Sequence, residues 1–173
     1  MNMVGKKSRY LIAQPFKWYT KFKLSSSDRT RIYQTYLMED GIDESIVSAI
    51  TSSGRDYAKI SYLYTMKTRK SSDVDCVFEY PISQSEYCQK LKEYDPIRDK
   101  VYKSRYSIGF NKKMFQLDVF EEKLFGLCVL ETDENLLPPH FSVLKDITDN
   151  EEYAIRELAL KDFMRPVEIK GVN

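Results

Sequence analysis

The sequence predicts a mostly β, antiparallel α+β domain whose strands surround a polar bore. Three observations carry that reading. Thirteen Tyr and nine Phe stand against six Gly, a composition that suits packed, pleated strands. Runs of β-formers recur along the chain, separated by short polar turns. Lys103 and Arg105 lie two apart in one such run, and Glu131 and Asp133 lie two apart in another. A strand sends residues i and i+2 to the same face, so each pair sets two like charges on one side of a sheet. Inward charge of that kind is costly unless the interior is wet and holds a charged ligand.

The elements follow in order. SRYLIA (residues 8–13) reads as a first strand, and residues 30–38 alternate as a second. SIVSAI (45–50) is a short third strand, 57–68 a fourth and 75–82 a fifth. Ser83-Gln84-Ser85-Glu86 has the form of a capping box and opens a helix carrying Tyr87, Leu91 and Tyr94, with Pro96 as its stop. Strands are expected over 101–110, 114–120 and 126–133, the first two joined by a hairpin turn at Asn111-Lys112-Lys113. A second capping box, Thr148 to Glu151, predicts a helix bearing Tyr153, Ile155, Leu158, Ala159 and Phe163. The sum is about eight antiparallel strands with two or three helices.

With 173 residues and no repeat, low-complexity tract or linker, residues 1–173 read as one domain. The formal charge of +1, from 27 basic and 26 acidic residues, gives no argument for nucleic acid or an anionic membrane. Functional electrostatics must therefore come from local segregation of charge. Cys76, Cys88 and Cys128 show no C-x-x-C spacing and read as reduced thiols. With no apolar run near about 18 residues, the protein is expected to be cytoplasmic. His140, the single histidine, follows two prolines in an expected loop, and Phe16, Trp18, Tyr19 and Phe22 form an aromatic cluster expected to pack on the sheet.

The series YQTYL, YLYTMKT, FEYPIS, KSRY, LDVF, GLCVLETD and ITDNEEYA is similar, in order and spacing, to the CYTH superfamily of triphosphate tunnel metalloenzymes. That superfamily includes class IV adenylyl cyclases, thiamine triphosphatases and inorganic triphosphatases. The resemblance implies an eight-stranded antiparallel barrel with flanking helices, whose tunnel holds a triphosphate on basic side chains and Mg²⁺ or Mn²⁺ on acidic ones. It implies phosphate-binding roles for Lys67, Lys103, Arg105 and Arg9, and metal-binding roles for Glu79, Asp118, Glu131 and Asp133. Lys7, two residues before Arg9 and so on the same strand face, is a further phosphate-binding candidate, a lysine where the family has a glutamate. Glu131 and Asp133 are equally suited to serve as counter-ions to the bore cations.

The chain also departs from the family pattern. Where the family has E-x-E-x-K on its first strand, this chain has Gly5-Lys6-Lys7-Ser8-Arg9. The third-strand arginine pair falls on Ser48 and Ile50, and the first glutamate of the middle E-x-E falls on Val77. Carboxylates that anchor hard divalent ions are thus missing, while much of the basic set is present. The expected function is binding of a phosphate-rich small molecule, a nucleotide, nucleotide second messenger or polyphosphate, with metal-dependent turnover weak or absent and no cofactor required. The alternatives are a metal-dependent triphosphatase or cyclase and a protein-interaction scaffold with a vestigial tunnel.

Overall fold

The computed structural model describes residues 7–13, 29–38, 43–53, 58–70, 74–132 and 141–162. Asp133, His140 and the aromatic cluster at residues 16–22 lie outside them. Among the described residues nine strands form one sheet: β1 (Ser8–Ile12), β2 (Arg29–Leu37), β3 (Glu44–Ser53), β4 (Ala58–Lys70), β5 (Val74–Ile82), β6 (Val101–Phe110), β7 (Lys113–Phe120), β8 (Cys128–Thr132) and β9 (Val143–Asp146). Their order is β5-β4-β3-β2-β6-β7-β8-β1-β9, and the pairings are antiparallel.

The expected eight-stranded closed barrel is corrected on two counts. The ninth strand, β9, pairs along the edge of β1 that closure against another strand would use. Among the described residues β5 and β9 remain the two edges of an open sheet. The sheet is nevertheless strongly curled. Arg9 on β1 and Lys67 on β4 line one cleft although six strand spacings separate them in the order. In a flat sheet those spacings would put them about 29 Å apart.

Period-2 alternation sorts the side chains onto two faces. On the convex face Tyr10, Leu130, Leu117 and Tyr106 form a continuous cross-strand row. They pack with Ile108, Phe115 and Phe141. Farther along that face, Val47 and Tyr64 are covered by Tyr87 and Leu91. Tyr87 belongs to helix α1 (Gln84–Lys90), which ends in a 3-10 turn at Leu91–Glu93. The Ser83–Glu86 capping box is formed in both directions. Its hydrogen bonds from Ser83 hold the exposed Glu86 carboxyl below its ordinary range.

One end of the concave face is filled by Leu11, Tyr36, Ile46, Phe120 and Val129 against Tyr153 and Leu158 of the C-terminal segment. The long helix expected after Thr148 is a second correction. A 3-10 turn at Glu151–Tyr153 and a single turn, α2 (Ile155–Leu158), take its place, separated by Ala154 in an extended conformation. Tyr153 and Leu158 are both fully buried, so packing two anchors against the curled sheet overrides helix propensity. Asn150 rather than Thr148 caps the turn, while the Thr148 hydroxyl bonds Asp146 and the Arg9 backbone. Among the described residues no helix is long and apolar enough to cross a membrane.

Candidate functional site: an ion network on the concave face

β6 places Val101, Lys103, Arg105 and Ser107 on the concave face by alternation. β7 answers with Phe120 opposite Lys103 and Asp118 opposite Arg105. That register is set by the turn between them. Asn111 and Lys112 both take positive φ, 49° and 61°, as a two-residue hairpin loop requires, so Phe110 faces Lys113. Counting back from that pair brings Arg105 to Asp118.

Asp118 is the hub. Lys103 Nζ donates to its Oδ2 at 2.8 Å, and Arg105 donates from Nε to Oδ1 at 2.6 Å and from Nη2 to Oδ2 at 2.8 Å. The side chains of Lys103 and Asp118 are each 3% exposed, whereas that of Arg105 is 28% exposed. Burial alone would raise the Asp118 carboxyl, but the Lys103 charge and the Arg105 hydrogen bond and charge outweigh it and hold the group at about 2. Burial pulls the Lys103 ammonium below its ordinary range against the opposing attraction of Asp118. Arg105 is likewise disfavoured by burial, yet is raised on balance by its bonds and charge contact with Asp118 and by Glu131 and Glu79. The triad therefore stands as two cations on one carboxylate.

Around it lie two outer pairs. Arg9 Nε is 3.5 Å from Glu131 Oε1, and Arg9 also donates from Nη2 to the Tyr153 carbonyl at 3.1 Å. Glu131 Oε2 lies 3.9 Å from Arg105 Nη2, joining this pair to the triad. Lys67 Nζ donates to Glu44 Oε1 at 2.7 Å. Glu79 accepts from the Thr65 hydroxyl at 3.1 Å. Arg9, Lys67, Glu44 and Glu131 line a cleft of about 240 Å³ together with Arg156, Asp43 and Glu151. Its charged lining is three cations against four carboxylates. The buried Gln34 Oε1 and Tyr36 hydroxyl, also on the concave face, have no hydrogen-bond partner among the described residues.

Of the nine residues singled out from sequence, seven share this face: Arg9, Lys67, Lys103, Arg105, Glu79, Asp118 and Glu131. Lys7 is half-buried just before β1, whose first residue is Ser8. Ser48, Ile50 and Val77 share the face too, by their registers with Gln34, Ile32 and Lys67. Sequence reasoning missed Glu44, Asp43, Glu151 and Arg156. Hairpin counting was available for both contacts: from Asn111-Lys112 it pairs Arg105 with Asp118, and from the Ser53–Ala58 pair it brings Glu44 to Lys67. Two of the four candidate metal ligands are already engaged by cations. Both Asp118 oxygens already accept from cations, and Glu131 is engaged by Arg9 and Arg105. Among the described residues no three His, Cys, Asp or Glu converge as a metal site.

No family model and no curated protein matches the chain. Among solved structures it is similar to that of a "putative adenylate cyclase" from Bacillus halodurans, at 11% identity over 78% of this chain and 82% of that one, with a TM-score of 0.55. It is also similar to the PH1819 protein of Pyrococcus horikoshii OT3, at 15% identity over 78% and 80%, but that TM-score of 0.43 carries no argument. The first likeness shows a shared mostly β, antiparallel fold. It is consistent with the CYTH resemblance of the sequence, and at this identity it reaches the fold alone.

Proposed function

We propose that the concave face binds a phosphate-rich small molecule, such as a nucleotide or polyphosphate, with metal-dependent turnover weak or absent. One observation carries the reading: Arg9, Lys67, Lys103 and Arg105, contributed by three strands distant in sequence, converge on one curled face. Asp118 fixes the Arg105 guanidinium from behind through two hydrogen bonds. Such a pre-set fork loses little freedom when an anion meets it. Lys67 and Arg9 are partly exposed where they line the cleft. A polyanion can therefore reach both cations and compete with Glu44 and Glu131 for them. Cations can neutralise phosphate, but only a bound metal also generates a nucleophile, and here Asp118, Glu131 and Glu44 are spent on the cations.

Calorimetric titration with tripolyphosphate and ATP, without and with Mg²⁺, tests this. Metal-independent binding that Arg105→Gln weakens at least about ten-fold is the expected result. Absence of heat with every phosphate compound would sink the proposal. Mg²⁺-dependent phosphate release abolished by Glu131→Ala would replace it with the enzyme reading.

A further inference from the structure

We infer that a second binding site lies outside the concave face: a basic, tyrosine-lined cleft that takes a phosphate monoester whose molecule also carries a planar aromatic base, as a nucleotide does. It opens where β2, the start of β6, the 3-10 turn at Glu122–Leu124 and the C-terminal segment meet, and its volume is about 690 Å³. Among the described residues its charged lining is Arg98, Lys100, Lys123 and Lys161 against Asp99 and Glu122. The whole chain carries only +1, and the concave cleft is lined by one more acid than cation. The positive charge has been segregated here instead.

Two of the cations are fixed parts of the walls. Lys123 Nζ pairs with Asp99 at 2.9 Å and donates to the Leu160 carbonyl at 2.6 Å. Arg98 pairs with Asp95 and donates to the Arg156 carbonyl. The other two are unspent: Lys100 and Lys161 are exposed, and among the described residues neither has an ion-pair partner. Backbone bonds hold them near one another, with Lys161 N donating to the Ile97 carbonyl at 3.0 Å and Asp99 N to the Ala159 carbonyl at 2.7 Å.

The aromatic component is equally specific. Tyr94 is 55% exposed at the cleft, a large ring left open on the same cleft as the exposed Lys100 and Lys161. Tyr102 is half-buried and braced edge-on by Tyr33 at 5.1 Å. Glu122 sits at the rim with φ of 53°, a backbone state that non-glycine residues adopt at a cost and that tends to persist where surroundings impose it. A phosphate monoester carries about two negative charges at neutral pH, which the exposed Lys100 and Lys161 can meet, and a tyrosine face stacks on a planar ring. Free nucleotides and the 5′-phosphorylated ends of nucleic acid strands share this chemistry.

The test combines calorimetry with amide chemical-shift mapping, using AMP, adenosine, ribose 5-phosphate, and a short oligonucleotide with and without its 5′-phosphate. AMP is expected to bind and to shift the amides of Tyr94, Tyr102 and Lys161, with adenosine and ribose 5-phosphate each binding more weakly. The double variant Lys100→Glu/Lys161→Glu, altering exposed side chains only, is expected to lower AMP affinity at least about ten-fold, and Tyr94→Ala about five-fold. AMP-like affinity for the phosphorylated oligonucleotide that disappears on dephosphorylation assigns the site to strand ends, whereas binding of AMP alone assigns it to free nucleotides. The inference is overturned if AMP does not bind, if its shifts fall only on Arg9, Arg105 and Glu131, if adenosine binds as well as AMP, or if the unphosphorylated oligonucleotide binds as well as the phosphorylated one. Failure of tripolyphosphate binding with AMP binding intact would instead count against the concave-face reading alone.

Discussion

Glu131→Gln is expected to tighten, not weaken, polyphosphate binding on the concave face. The Glu131 carboxylate lies 3.5 Å from Arg9 and 3.9 Å from Arg105, so a phosphate that engages both guanidinium groups must come close to it. At about 5 Å, with the screening of water, one carboxylate and one phosphate charge repel by about 1 kcal/mol. Removing that charge while keeping the shape of the side chain lowers the Kd about five-fold. The assay is calorimetric titration with tripolyphosphate at low and high salt, and the gain should shrink as salt screens the cleft. A metal-binding role for Glu131 predicts the opposite, a loss concentrated in the Mg²⁺ titration. Unchanged or weaker metal-free binding would refute the idea that this carboxylate is a displaceable counter-ion.

Asp118→Ala leaves Lys103 buried without its counter-charge and is expected to cost about 3–5 kcal/mol in urea denaturation. Adding Lys103→Met should recover a large part of that loss, because the stranded charge is gone. The Asp118 carboxyl is depressed from 3.8 to about 2 in the fold. Its contribution of about 2 kcal/mol is therefore fully present above about pH 4 and is lost as pH falls toward 2, and a denaturation series in pH should lose this step in the Asp118→Ala/Lys103→Met protein. Lys112, at φ 61°, occupies a backbone region that disfavours side chains by about 1–2 kcal/mol. Lys112→Gly is expected to raise the thermal midpoint, with a net gain of about 0.5 kcal/mol after the glycine's extra unfolded-state entropy.

Which parts of the fold could be read from sequence depended on how local their causes were. β6 was expected at residues 101–110 and forms over Val101–Phe110, since alternation and a two-residue turn fix it from within. The same period-2 rule placed Lys103 with Arg105, and both on one face. β9 escaped notice because its four residues, VLKD, carry no alternating pattern of their own and are strand only through pairing with β1. The C-terminal helix was overextended because a capping sequence and apolar spacing are local signals, whereas the break at Ala154 serves the burial of Tyr153 in the curled sheet. Charge on a face was legible, but its neutralisation was not. Asp118 stood out as an acid, yet the register that turns it into the hub between Lys103 and Arg105 emerges only when the hairpin is counted out.

The strand order gives the concave face a history as well as a shape. Its Lys103–Asp118–Arg105 triad lies within a single hairpin, its partners 13 and 15 positions apart in sequence, so its loop closes at little entropic cost and can do so early. Arg9, by contrast, reaches Glu131 only after β1 is threaded between β8 and β9, a contact spanning most of the chain. The two halves of the face thus belong to elements of very different contact order, one assembled locally and the other closed late. Opening that begins at β1 would release Arg9 and leave the triad intact, and a ligand bridging Arg9 to Arg105 would act as a clasp, showing up as slowed amide exchange in β1 before any change in β6.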